Sequence, residues 1–137
     1  MVKATIGDKE LNFPDDLLYS EQHQWVSNEG KIGITDFAQN QLGEIITVDL
    51  DVDSMVGKEF NAGDLFEDIA VEAQKAVADI YCPVSGKILE AHEELEDECE
   101  KINEDPYGDG WIFKLEVSSK PDTLLSAEKY IEYVKTL

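Results

Sequence analysis

Among 137 residues, few side chains stand in a setting that suggests chemistry, and Lys75 is foremost. It is the only lysine between Lys58 and Lys87, and it falls where an alternating apolar stretch must reverse, flanked by Gln74 and Ala76 instead of glycine or asparagine. Tight reversals favour residues that accept turn geometry at low cost. A long primary amine at such a tip is an odd choice if turn stability were the sole requirement, and the competing reading is an ordinary solvated lysine. The local pattern leaves both readings open.

The other candidates carry less. His23 lies on an extended segment beside Trp25 and reads as a packing or hydrogen-bonding residue at the core edge, while His92 sits in an acidic stretch and reads as exposed. Cys82 and Cys99 are seventeen residues apart, which fits neither a CxxC redox pair nor a two-by-two zinc spacing. With two histidines, a metal centre would have to be carboxylate-rich, and no calcium-loop pattern is present. G-x-S-x-G, H-E-x-x-H, the Walker lysine loop and G-x-G-x-x-G are all missing, and carboxylate pairs in so acidic a chain have no specificity. Neither a catalytic residue nor a metal ligand is expected.

Charge narrows the partners further. All eleven basic residues are lysine, against thirty-one acidic ones, for a formal charge of 11 − 31 = −20. Such a surface repels phosphate backbones and anionic headgroups and lacks the guanidinium fork that grips phosphate, so neither nucleic acid nor membrane is an expected partner. The first residues, Met1 to Leu11, contain no apolar run of signal-peptide length, and nothing later approaches a membrane span. A cytoplasmic location is expected. At 42% apolar residues the chain has the composition of one folded domain.

Turn residues cut the chain into short extended pieces. Tyr19 to Val26 and Lys31 to Ile34 flank Asn28-Glu29-Gly30 as a hairpin, and Asp36, Gln39, the apolar Phe37, Ala38 and Leu42, and Gly43 mark a short helix capped at Asp36 and Gly43. Ile45 to Leu50 reads as a strand, Val52 to Asn61 as a loop or weaker strand, and Ala62-Gly63-Asp64 as a turn. Strands over Phe66 to Ala73 and Val77 to Tyr81 would carry Lys75 between them, and a further strand opens at Gly86. Glu90 to Asp105 reads as a short helix or turn with Leu95, Cys99 and Ile102 as its apolar stripe. Trp111 to Val117 reads as a last strand with Trp111 in the core, and Pro121 would open a terminal helix bearing Leu124, Leu125, Tyr130, Ile131 and Val134. A faint echo relates Gly43-Glu-Ile-Ile to Gly86-Lys-Ile-Leu and Gly63-Asp-Leu-Phe to Gly110-Trp-Ile-Phe, as suits two related halves with interleaved strands.

Tyr19-Ser-Glu-Gln-His-Gln-Trp-Val26, Ile34-Thr-Asp-Phe-Ala-Gln39, Leu42-Gly43, Glu72-x-x-Lys75-Ala76, Asp79-Ile-Tyr-x-Pro-Val-Ser-Gly86 and Asn103-Glu-Asp-Pro-Tyr-Gly-x-Gly-Trp111 occur in that order. Together they resemble the H-protein family of the glycine cleavage system, from about Leu18 to the terminal helix. The resemblance implies a mainly β lipoyl-domain (barrel-sandwich hybrid) fold with short helices, a single domain over 1–137 with an N-terminal extension at 1–17 and a helix at 121–137. It also implies that Lys75 carries lipoate as an amide and acts as a swinging arm. In the family that arm shuttles an aminomethyl group and reducing equivalents between glycine decarboxylase, aminomethyltransferase and dihydrolipoamide dehydrogenase, after a lipoate-attaching enzyme has loaded it. The protein is then a monomeric, non-catalytic carrier.

The chain departs from the family pattern around the arm. Glu72-Ala73-Gln74-Lys75 replaces the usual Glu-Ser-Val-Lys, the segments Val52 to Asn61 and Asp64 to Lys75 are longer, and the first hairpin is shorter. The alternative implied is an H-like lipoate-binding protein that serves a sulfur-oxidising heterodisulfide-reductase-like complex. A biotin carrier shares the hairpin lysine but flanks it with methionine, which Gln74 and Ala76 are not.

Overall fold

The computed structural model describes all residues from Met1 to Leu137. The elements in chain order are β1 (Val2–Ile6), β2 (Lys9–Phe13), β3 (Leu18–Tyr19), β4 (Gln24–Val26), β5 (Lys31–Ile34), α1 (Asp36–Leu42), β6 (Ile45–Asp49), α2 (Val52–Met55), β7 (Glu59–Phe60), β8 (Ala70–Ala73), β9 (Ser85–Ala91), α3 (Glu94–Asp97), α4 (Lys101–Glu104), β10 (Phe113–Ser119) and α5 (Ala127–Val134). A six-stranded antiparallel sheet runs β3-β4-β5-β10-β9-β7, and two-stranded sheets pair β6 with β8 and β1 with β2. The mainly β architecture with short helices and a C-terminal helix is therefore what the sequence leads one to expect.

The main core lies between the six-stranded sheet and the β6-β8 pair, with Ile32, Leu50, Met55, Val71, Ile88, Leu95, Ile102 and Phe113 all buried. The echoed segments meet there: the rings of Phe66 and Phe113 are 5.2 Å apart. A second cluster gathers Phe13, Tyr19, Trp25, Phe37, Tyr130 and Val134 where the β1-β2 hairpin and α5 close on the sheet. Tyr19 and Tyr130 stack at 4.9 Å, and Phe13 meets Tyr130 edge-on at 5.8 Å.

Several expectations need correcting. The cap of α1 is Thr35, whose hydroxyl accepts from the Ala38 amide at 3.1 Å; Asp36 lies inside the first turn and accepts from Gln39 Nε2 at 2.8 Å. Val52 to Asn61 contains a helical turn, α2, which plugs Met55 into the core before β7 begins. Glu90 to Asp105 divides into the end of β9 and two separate helical turns, α3 and α4, with Leu95 and Ile102 buried. The terminal helix opens at Ala127 instead of Pro121, because Leu125 is held in antiparallel register with Tyr19. Ser126 then caps it by accepting from the Lys129 amide.

Aromatic placement also differs. Trp111 is only half-buried, stacked parallel on His92 at 4.2 Å with Lys31 Nζ 5.3 Å from its ring. His92 is not exposed: its side chain retains 11% exposure and its Nδ1 lies 2.7 Å from the Trp111 carbonyl. The fully buried tryptophan is Trp25, whose Nε1 donates to the carbonyls of Ile34 (3.1 Å) and Pro106 (3.0 Å). Gly33 makes room for that ring, since a Cβ there would lie 2.9 Å from it.

Candidate functional site

Lys75 occupies the tip of a hairpin. The hairpin's base is tied where Gly63 donates to Cys82 and Cys82 to Asp64, both at 2.8 Å, and where Leu65 bridges Tyr81. Above that, the outgoing arm is regular only over β8, because Glu67 and Asp68 form a turn. The return segment, Val77 to Tyr81, is held by isolated bridges instead of forming the full strand expected; Ala76, Ala78 and Asp79 are weak strand formers, and β8 already has β6 as its partner. Lys58 pairs with Asp68, which ties the connection between α2 and β7 to the turn on the outgoing arm.

The tip is closed by the Ala73 amide donating to Ala76 at 2.9 Å, and neither Gln74 nor Lys75 has a positive φ. A two-residue hairpin tip without positive φ lacks the twist that tight hairpins favour. Two bonds from outside the hairpin hold it instead: the Gln74 amide donates to the Glu44 carbonyl at 2.8 Å and the Lys75 amide to the Leu42 carbonyl at 3.0 Å. The exit of α1 thus serves as a bracket for the lysine. Gly43, at φ +78°, lies directly under it, where an added Cβ would approach Gln74 Oε1 to 3.3 Å and Lys75 Cγ to 3.5 Å.

Lys75 is exposed and takes part in no ion pair, although Glu72 and Asp79 are exposed nearby in the chain and the exposed Glu44 accepts from the adjacent Gln74 amide through its carbonyl. Beside the tip runs a groove of about 420 Å³, lined by Ile34, Phe37, Ala38, Leu42, Val77 and Ile80, with Gln24, His23 and Asp79 as polar members. Val77, two residues from Lys75, is 66% exposed. A hydrocarbon chain attached to the lysine would find apolar surface there.

His23 fulfils the expected packing role. Its Nδ1 is 2.7 Å from the Tyr130 hydroxyl, which also meets Thr35 Oγ1 at 2.8 Å, and its ring lies 5.0 Å from Phe37. Its backbone has φ +77°. Burial holds its pKa below the usual imidazole value. The unfolded chain therefore binds the proton first as pH falls, so stability is lost as pH drops below about 6.5 toward the folded value. His23→Asn, which tolerates positive φ, is expected to lack this component. Between about pH 7 and about pH 5 the wild-type urea midpoint should fall relative to that of the variant, and parallel curves would show that His23 does not titrate in this window.

Neither thiol is poised for chemistry. Burial raises the Cys82 pKa to about 11, and Cys99 is raised by desolvation and by Glu100. No group of three or more His, Cys, Asp or Glu is placed to hold a metal ion, and no helix is long and apolar enough to cross a membrane.

The motif from Asn103 to Trp111 has a role that its sequence did not disclose. It staples α1 at both ends. The Tyr107 hydroxyl accepts from the Asp36 amide at 2.8 Å and donates to the Asn12 carbonyl at 2.7 Å, while Asn103 Nδ2 donates to Gln39 Oε1 and to the Gly43 carbonyl, each at 2.9 Å. Burial of the Tyr107 ring, the largest cause, raises its phenol well above the ordinary value.

Comparison with known proteins agrees with this architecture. Residues 17–137 match the family model for the glycine cleavage H-protein. The glycine cleavage system H protein of Symbiobacterium thermophilum is 46% identical over 129 residues, covering 90% of this chain and 97% of the relative. That of Carboxydothermus hydrogenoformans is 48% identical over 122 residues, covering 85% and 90%. The crystal structure of a glycine cleavage system H protein from Mycobacterium marinum superposes with a TM-score of 0.74 at 29% identity, covering 88% of this chain and 97% of that one. The β1-β2 hairpin lies outside the span that the family model matches.

Proposed function

The chain belongs to the glycine cleavage H-protein family, whose members carry lipoate on a lysine within the lipoyl-domain fold, and from that premise we propose that Lys75 is the attachment site here. The observation that carries the proposal is the pinned tip: an exposed, unpaired amine on a turn whose geometry is imposed by the Leu42 and Glu44 carbonyls. A tip built for its own stability would not need that bracket.

The residues present fit the group. Amide formation consumes the Lys75 ammonium, so no existing ion pair is broken. The groove lining of Ile34, Phe37, Ala38 and Leu42 offers an apolar bed when the arm folds back, and the exposed Asp79 also lines it. When bound, lipoate supplies a dithiol–disulfide couple able to accept and pass on a one-carbon amine unit and reducing equivalents. The protein's own residues present the arm, shelter it and dock partners. Tethering raises the effective concentration of the carried group at each active site.

The partners proposed are a lipoate-attaching enzyme, the glycine decarboxylase, the aminomethyltransferase and dihydrolipoamide dehydrogenase, each needing to reach Lys75. The relatives described above all bear the glycine cleavage name, which leaves the sulfur-oxidising alternative without support.

A surface of net charge −20 should steer such partners through their basic patches. The association rate of the lipoylated protein with glycine decarboxylase is expected to fall as salt rises from ~0.02 to ~0.5 M, where screening shortens to a few ångström. The rate at saturation should stay nearly constant, because the arm itself is uncharged. Stopped-flow measurement decides this: a flat association profile would mean the acidic surface serves solubility alone. The carrier role itself is tested by carbon dioxide release from glycine, which should require the lipoylated protein and fail with the unmodified one.

A further inference from the structure

We propose that Asn103 is a positioning residue for modification of Lys75: its side-chain amide sets the geometry of the Gly43–Ile45 turn, and through it the direction in which the lysine is offered to an acylating enzyme. The inference rests on the reading of Lys75 as the lipoyl site and adds a residue that touches neither the lysine nor the arm.

Asn103 is on α4, a four-residue helix anchored by the fully buried Ile102. All three of its side-chain bonds go to the neighbourhood of the α1 exit, far away in sequence. Its Oδ1 accepts from the Ile45 amide at 2.8 Å, and its Nδ2 donates to the Gly43 carbonyl and to Gln39 Oε1, each at 2.9 Å. The orientation of the amide follows from chemistry. The Ile45 N–H can only donate, so it must face oxygen, and the Gly43 carbonyl can only accept, so it must face nitrogen. Gln39 agrees, because its own Nε2 is committed to Asp36 at 2.8 Å and presents the oxygen to Asn103.

The groups that Asn103 holds alternate with the groups that hold Lys75. Leu42 and Glu44 supply the carbonyls for the amides of Lys75 and Gln74; Gly43 and Ile45 are the residues fixed by Asn103. Gly43 has φ +78° and no side chain, so its conformation is set only by the bonds its backbone makes: its amide donates to the Gln39 carbonyl at 3.0 Å and its carbonyl accepts from Asn103. Freed from Asn103, the two carbonyls would no longer point in one direction, and the lysine tip, which has no favourable turn geometry of its own, would lose its register. Misplacing a reacting group by about 1 Å can cost up to about a hundredfold in rate.

The test uses full-length unmodified protein as substrate for a lipoate-attaching enzyme. Asn103→Asp keeps the shape but turns a donor toward two acceptors into a third acceptor, and Asn103→Ala removes all three bonds without adding charge. Both are expected to lower kcat for lipoylation by about tenfold to a hundredfold with little change in KM, and to accelerate amide hydrogen exchange at Gln74 and Lys75 while Ile88, deep in β9, stays protected. Leu115→Ala, a buried residue of β10 that lines neither the groove nor the Asn103 contacts, should lower the melting temperature and leave kcat and the tip amides unchanged. Unchanged kcat and exchange in both Asn103 variants would overturn the proposal, as would a loss confined to Asn103→Asp, which would point to the added charge. Should wild-type protein accept no lipoyl group at Lys75, the reading of the site fails, and the exchange data alone decide for or against Asn103 as the residue that fixes the tip.

Discussion

Trp25→Ala is expected to cost about 3–5 kcal/mol of stability, the range for deleting a fully buried large aromatic. The indole is 1% exposed and fills the space between the sheet and the Asn103–Trp111 segment. Its loss also strands two carbonyls, Ile34 and Pro106, that share one donor. For a chain of this size the melting temperature should fall by roughly 10–20 °C. Trp111→Ala makes the comparison sharp. That ring is half-buried against His92 and Lys31, so its deletion should cost about 1–2 kcal/mol. Thermal melts of the two variants side by side test the assignment. A Trp111 variant as unstable as the Trp25 variant would place the wrong tryptophan in the core.

Lys75→Ala should abolish carrier activity completely while leaving the fold untouched. The tip is held through backbone amides of Gln74 and Lys75, which alanine retains, so the stability change should stay within about ±0.5 kcal/mol. Glycine-dependent carbon dioxide release in the presence of the decarboxylase should drop to background, because no other lysine offers an amine on a bracketed hairpin tip. In the unaltered protein, amide formation removes one positive charge, taking the formal balance from −20 to −21, and the modified form should migrate further toward the anode on a native gel. The Lys75→Ala protein should show a single band whether or not lipoate was supplied. Residual carrier activity, or two bands from the variant, would remove Lys75 from the role assigned to it.

The sequence made the lysine and its hairpin legible because local signals agreed: an apolar alternation that stops, a reversal without glycine, and motif residues on both sides. The helix from Asp36 to Leu42 was equally clear, since its apolar face and the glycine after it lie within a few residues of one another. What stayed hidden depended on distant partners. Thr35, not Asp36, caps α1 because Asp36 is drawn toward Gln39 and the Asn12 amide. Nothing local distinguishes Trp25 from Trp111, whose burial is decided by Gly33 and Pro106 in one case and by a stacked histidine in the other. The β1-β2 hairpin is not legible in the sequence for a similar reason: Val2, Ala4 and Ile6 alternate, but the cluster against which they pack is completed by α5 at the opposite end of the chain. Asn103 was visible as part of a motif, and only the structure connects its amide to the turn beneath Lys75.

Everything proposed for this carrier turns on one lysine, so the most direct measurement is peptide mass spectrometry of the protein purified from cells that make lipoate. A lipoyl mass increment confined to the peptide containing Lys75 is the expected result. The same increment on Lys58, Lys87 or any other lysine, or its absence from every peptide, would contradict the assignment.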